Sequence, residues 1–181
     1  MTLEERTREA VRTELQRLLD RYGEVEVDRQ TVTNDPDLFE AGRDLAQEGW
    51  LGDAGTWVTD DAGRVLLIRH EGAPDTWGTP GGGHEPATDD GLDGTALRTL
   101  TEQTGVEADL GSLYYVRWQT VVNEADADDR LHMLSVVFEG TAVSTDIVEG
   151  EADHGVLAAT WFQNLPERLH EIPQRKSEEA E

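Results

Sequence analysis

Three consecutive glycines, Gly81, Gly82 and Gly83, lead through His84 and Glu85 into a stretch carrying Arg98 and Glu102 four residues apart. Glycines in a row free the backbone to take positive φ and to lie close against a ligand. A guanidinium and a carboxylate at that spacing share one face of a helix. Leu92, Ala96, Leu97 and Leu100 supply an apolar side, Thr95, Thr99 and Gln103 a second polar side, and Gly105 stands where a C-terminal cap belongs. Standing alone, Arg98 and Glu102 would read as an exposed ion pair worth a few tenths of a kcal/mol. Bounded by the glycines and by Gly105-Val106, they gain a functional reading. His84 and Glu85 are either loop polar groups or contacts to a substrate or metal.

The span from Pro80 to Val106 resembles a Nudix box, G-x5-E-x7-R-E-U-x-E-E-x-G-U, where U is aliphatic. Arg98, Leu100, Glu102, Gly105 and Val106 fall in register with its second half. Trp77, Pro80 and the three glycines match the run that opens it. Thr99 stands where the family has the glutamate after the box arginine, and Gln103 replaces the second glutamate of the pair. Between Gly82 and Arg98 the chain is two residues longer than the pattern. Kept at strict spacing, His84 takes the glycine position and Asp90 the first glutamate; anchored on Gly82, that position is Thr88.

The resemblance implies a metal-dependent hydrolase that cleaves a nucleoside diphosphate linked to another moiety. Hydrolysis of a diphosphate needs several phosphate oxygens neutralised while a water attacks phosphorus, and hard divalent cations do this. Mg²⁺ (or Mn²⁺) accepts oxygen ligands and retains waters, so few carboxylates per ion suffice. On this reading Glu102, a Gly82 carbonyl and a carboxylate at the helix start (Asp90, or Asp89 or Asp93) hold the ion. Arg98 orients neighbouring carboxylates, the Gly81, Gly82 and Gly83 backbone lies against the phosphates, and Arg69 contacts the ligand. Arg69 is equally a surface arginine among abundant carboxylates. A late loop of the family adds a further carboxylate, for which Glu149, Glu151 and Asp153 are candidates with Glu124 behind them. Thr99 and Gln103 favour a different function, a Nudix-like module that binds a nucleotide or nucleotide sugar without cleaving it. A structural or assembly role through the N-terminal helix is the third reading.

The 181 residues carry 15 basic and 39 acidic side chains, a net charge of −24. Lys176 is the single lysine. This acidic, lysine-poor balance resembles that of haloarchaeal cytoplasmic proteins, in which concentrated salt screens self-repulsion. No basic run is present to meet a phosphate backbone, so nucleic acid is not the expected partner. With no cysteine, disulfides, zinc thiolates and thiol nucleophiles are excluded. The N-terminus lacks an apolar signal core and no apolar run reaches the ~20 residues of a membrane span. The expected protein is cytoplasmic and meets a small phosphorylated ligand, not a membrane.

The elements that must position these residues follow from periodicity. Residues 2–22 predict a helix, packing on the domain or on a second copy of the chain in a homodimer; 24–33 predict a strand, and Asp35-Pro36 opens a helix to about 47. Strands are expected at 56–59, 64–70, 112–122, 130–140 and 156–162, with Val65 to Ile68 continuously apolar as in a strand covered on both faces. Trp77 and Trp161 read as anchors, His132 and His154 as structural or surface residues. The Nudix resemblance implies an α+β fold, a Nudix-type α/β/α sandwich with a mixed sheet over residues 50–172. An N-terminal helix-strand-helix extension covers 1–49, and a charged tail covers 173–181, frayed from Ser177.

Overall fold

The first helix, α1 (Leu3–Tyr22), opens on a reciprocal cap: the Thr2 hydroxyl accepts from the Glu5 N–H at 3.1 Å, and the Glu5 carboxylate accepts from the Thr2 N–H at 2.8 Å. Asp35 caps α2 (Pro36–Gln47) from the Leu38 N–H at 3.0 Å, with Pro36 in the first turn. Between them lies β1 (Val27–Asn34), and the strands β2 (Gly52–Thr59), β3 (Val65–His70), β4 (Ala73–Gly78) and β5 (Gly81–Gly83) follow. Next come α3 (Leu92–Thr104), β6 (Ala108–Asn123), β7 (Asp126–Ala142), β8 (Val156–Phe162) and α4 (Glu171–Glu179). The computed structural model describes residues 1–148 and 155–180, so Glu149, Glu151, Asp153 and His154 lie outside the described residues.

The fold is mixed α and β with a mixed sheet, as the resemblance implies. Among the described residues the strand order is β1-β6-β7-β2-β3-β4, with β5 paired to β2 and β8 paired to β3. Val27–Asn34 runs parallel to Val116–Asn123 in unbroken register, whereas β3 is antiparallel to β2, β4 and β8. Two units divide the chain: Met1–Ala54, Gly83–Thr95 and Ser112–Val137 form one, and Gly55–Gly82, Ala96–Gly111 and Phe138–Glu181 the other. In the first, Phe39, Val121 and Leu131 form a core on which Leu3, Val32 and Met133 pack. In the second, Val58, Leu66, Leu100, Val106 and Ala108 are packed by Ala142, Ile147 and Trp161. Val65, Leu66, Leu67 and Ile68 are all buried, as a strand covered on both faces requires.

Three expectations need correction. The chain is not frayed from Ser177: Glu171–Glu179 is helical, its Lys176 ammonium pairs with Glu139 and lies 5.5 Å from the Trp57 ring centroid. Leu97, expected on the apolar side of α3, is 38% exposed, while Leu92, Ala96 and Leu100 are fully buried. The three glycines do not form a positive-φ bend; none of them is in that region, and they make the short strand β5.

Candidate functional site

Helix α3 buries a polar stripe. Thr95, Thr99 and Gln103, spaced by four, are all inside, because one face of a helix repeats at that interval. Gln103 reaches Gly81: its carbonyl oxygen accepts from the Gly81 N–H, and its NH₂ donates to the Gly81 C=O, both at 2.9 Å. The backbone groups dictate the amide's orientation, since an N–H only donates and a C=O only accepts. Gly82 sits close against Thr99: a Cβ there would lie 3.1 Å from the Thr99 methyl, a tight contact that needs a shift of a few tenths of an ångström. Bare backbone at Gly82 therefore serves close approach to α3, and its φ is not positive. The helix stops at Gly105, whose φ of +74° carries the chain out of the last turn.

The other box residues lie apart from this contact. Arg98 donates to the exposed Glu102 carboxylate at 3.0 Å along the helix. Asp90 is exposed. Asp89 accepts from the Glu85 N–H at 2.9 Å and from the Thr95 hydroxyl at 2.8 Å. His84 is buried, its Nδ1 accepting from the Leu51 N–H at 3.1 Å. Arg69 stacks 5.1 Å from the Trp77 ring centroid and donates to the Pro74 C=O at 3.4 Å, and Trp77 meets Phe162 edge-on at 4.8 Å.

Asp93 belongs to a cluster that the sequence pattern does not reveal. It accepts from Arg17 at 2.7 Å and from the Tyr22 hydroxyl at 2.8 Å. Glu14, also bound to Arg17, accepts from the Leu92 N–H at 2.8 Å and so satisfies the start of α3. Burial works against the Asp93 carboxylate, but the hydrogen bonds from Arg17 and Tyr22 outweigh it and hold its pKa below the ordinary value. Burial, and then the bond to Asp93, push the Tyr22 phenol up to about 12.

A cavity of about 340 Å³ opens beside Gly81 and Gln103, which both line it. His70, Thr76, Thr79 and His170 add polar groups, and Ile172 and Pro173 close it with apolar surface. The backbone places His170: Trp77 donates to the Arg168 C=O at 2.9 Å, and His170 donates to the Trp77 C=O at 2.8 Å. Size and lining suit a small organic ligand with a few oriented polar contacts. No periodicity marks the segment that carries His170, Ile172 and Pro173, so the sequence does not reveal them; His70, at the end of an apolar strand, is the one signal it offers.

Residues 51–177 match the family model for the NUDIX domain. The chain belongs to the Nudix family. Among solved structures it is similar to a UDP-X diphosphatase, at 20% identity over 94% of this chain and 76% of that one, TM-score 0.50. Another is the NUDIX domain of Shewanella oneidensis NrtR complexed with ADP ribose, at 22% identity over 62% of this chain and 71% of that one, TM-score 0.44. A third is a NUDIX hydrolase from Nitrosomonas europaea, at 20% identity over 61% of this chain, TM-score 0.45; this chain spans 55% of its length. Comparison with curated proteins yields no match. The fold is that of Nudix hydrolase structures, a mixed sheet with helices on both sides. No helix among the described residues is long and apolar enough to cross a membrane.

Nudix hydrolases generally use divalent metal ions, and the donor set here does not fit a metal cluster. Among the described residues no three Asp, Glu or His side chains converge to hold an ion. At position 103 the neutral amide donates to the Gly81 carbonyl, the kind of oxygen a hard cation would take. Thr99 offers a hydroxyl that donates back to the Ala96 C=O at 3.2 Å.

Proposed function

We propose that this Nudix protein binds a nucleoside diphosphate derivative in the cavity beside β5 without hydrolysing it. The observation that carries the reading is the paired hydrogen bond between Gln103 and Gly81. A glutamate there could accept from the Gly81 N–H but would repel its carbonyl, leaving that oxygen for a cation. The amide satisfies both groups, so β5 is held against α3 by the protein's own atoms. With a threonine at 99 and an amide at 103, Glu102 is the carboxylate left at the box positions of the helix, and its charge is met by Arg98. The ligand class follows from the family; of the contacts expected from the sequence, Gly81 lines this cavity while Gly82, Gly83 and Arg69 do not, and His70, Thr76, Thr79 and His170 are the polar groups proposed to meet the ligand.

Calorimetric titration with ADP-ribose, a UDP-sugar and a nucleoside triphosphate in concentrated KCl tests this, with product release followed in parallel. Saturable binding with and without Mg²⁺, and no product, is the expected result. Product release that requires Mg²⁺ or Mn²⁺ and disappears in Glu102→Gln would overturn it. That outcome would restore the hydrolase reading, with Glu102, Gly82 and Asp90 as metal ligands and Arg98 orienting them.

A further inference from the structure

A second cavity, of about 400 Å³, lies against α1 and is lined by Arg8, Arg12, Arg29, Trp118, Thr120 and His132. Three arginines at one hollow are unexpected in a chain with 39 acidic and 15 basic residues. Arg8 is bound to Glu4 at 2.6 Å. The guanidiniums of Arg12 and Arg29 have no hydrogen bond or ion pair among the described residues; Arg29 instead lies 4.5 Å from the Trp118 ring centroid. Stacking on an aromatic face holds the planar guanidinium in place while its N–H edges stay available.

The histidine beside them is set up as a donor. Trp118 Nε1–H donates to His132 Nδ1 at 2.9 Å. An indole N–H cannot accept, so Nδ1 presents its lone pair and the neutral ring carries its proton on Nε2. That nitrogen is buried and has no hydrogen-bond partner among the described residues. The Glu4 carboxylate oxygen stands 3.7 Å away, beyond hydrogen-bond range, and is engaged by Arg8. The His132 side chain is 6% exposed, and a buried unpaired donor is costly.

We propose that this cavity is a binding site for a small phosphate-bearing anion, distinct from the cavity beside β5. Arg12 and Arg29 grip its oxygens, Arg8 adds charge, and the His132 Nε2 proton is the fixed donor at the base. A phosphate has enough oxygens to meet two guanidinium forks at once, each of them bidentate, and the volume admits a diphosphate.

Equilibrium dialysis of the full chain with labelled pyrophosphate, at fixed KCl, tests the site. Saturable binding is expected, about tenfold weaker in Arg12→Gln and again in Arg29→Gln, with Gln103→Leu leaving it unchanged. Both arginines are exposed, and circular dichroism checks that each variant folds. In protein carrying ¹⁵N-histidine, the His132 Nε2–H resonance should move along the same saturation curve. No saturable binding, equal affinity in the arginine variants, an unmoved His132 resonance, or malonate binding as tightly as pyrophosphate would each overturn the proposal. Loss of binding in Gln103→Leu alone would place pyrophosphate in the cavity beside β5 and overturn it too.

Discussion

Changing Gln103 to glutamate exchanges one NH₂ for an oxygen and removes the donor that meets the Gly81 carbonyl. Gln103→Glu should destabilise the fold by about 1 to 2 kcal/mol, read from a denaturant melt, because a buried acceptor loses its partner and gains a like-signed neighbour. Adding Thr99→Glu to it restores two box carboxylates. The double variant should gain thermal stability on adding Mg²⁺, whereas the native chain should not. Equal Mg²⁺ responses would mean that these positions do not govern cation binding. Both substitutions were visible in the sequence as departures from the box. Their consequence was not, because the contact joins residues 22 apart and needs the geometry of α3 against β5.

Helix ends show a similar division. Gly105 was legible as the stop of α3, and its φ of +74° agrees. The surroundings were not legible: a Cβ there would lie 2.7 Å from the Val148 side chain and 3.0 Å from its backbone nitrogen. Gly105→Ala should therefore cost more than the roughly 1 kcal/mol typical of a strained cap, measured by thermal melting. The opposite end of α3 depends on Glu14, Arg17, Tyr22 and Asp93, whose sequence separations hide the cluster from any periodicity. Asp93→Asn should destabilise by about 2 kcal/mol, since it leaves a partly buried guanidinium short of its anion. Helix α4 escaped detection for a related reason. Glu171–Glu179 is mostly charged, and it is held by tertiary contacts such as Lys176 with Glu139. By contrast, α1, α2 and β3 carry capping or apolar signals strong enough to read directly.

Acid acts on the whole molecule through two of these groups. Burial, chiefly, with the charge of Arg8, holds the pKa of His132 below its ordinary 6.5. The unfolded chain therefore takes up a proton first, so the stability contributed by the neutral ring is present above about pH 6.5 and lost as pH falls through the folded value. Asp93, also lowered, has the same sign at lower pH, below the ordinary carboxylate value. Melting temperature should drop on acidification in two stages, and His132→Gln should flatten the upper one; a rise on acidification would contradict the assignment. Charge sets the response to salt as well. With a net −24, lowering KCl lengthens the screening distance and should lower the melting temperature, and equal melts at low and high KCl would contradict this. The acidic balance was plain from composition, whereas the basic hollow around Arg12 and Arg29 depends on how α1 meets the strands.

The parallel register of β1 with Val116–Asn123 has one more consequence. This strand is the end member of the strand order, and it precedes the stretch that matches the family model. It acts as a selvedge: its charged Asp28 and Arg29 finish a margin that would otherwise offer bare amides to any passing strand. A version trimmed to start after Asn34 would keep every box residue yet present Val116–Asn123 unhemmed, and it should run as aggregates on a sizing column where the full chain does not.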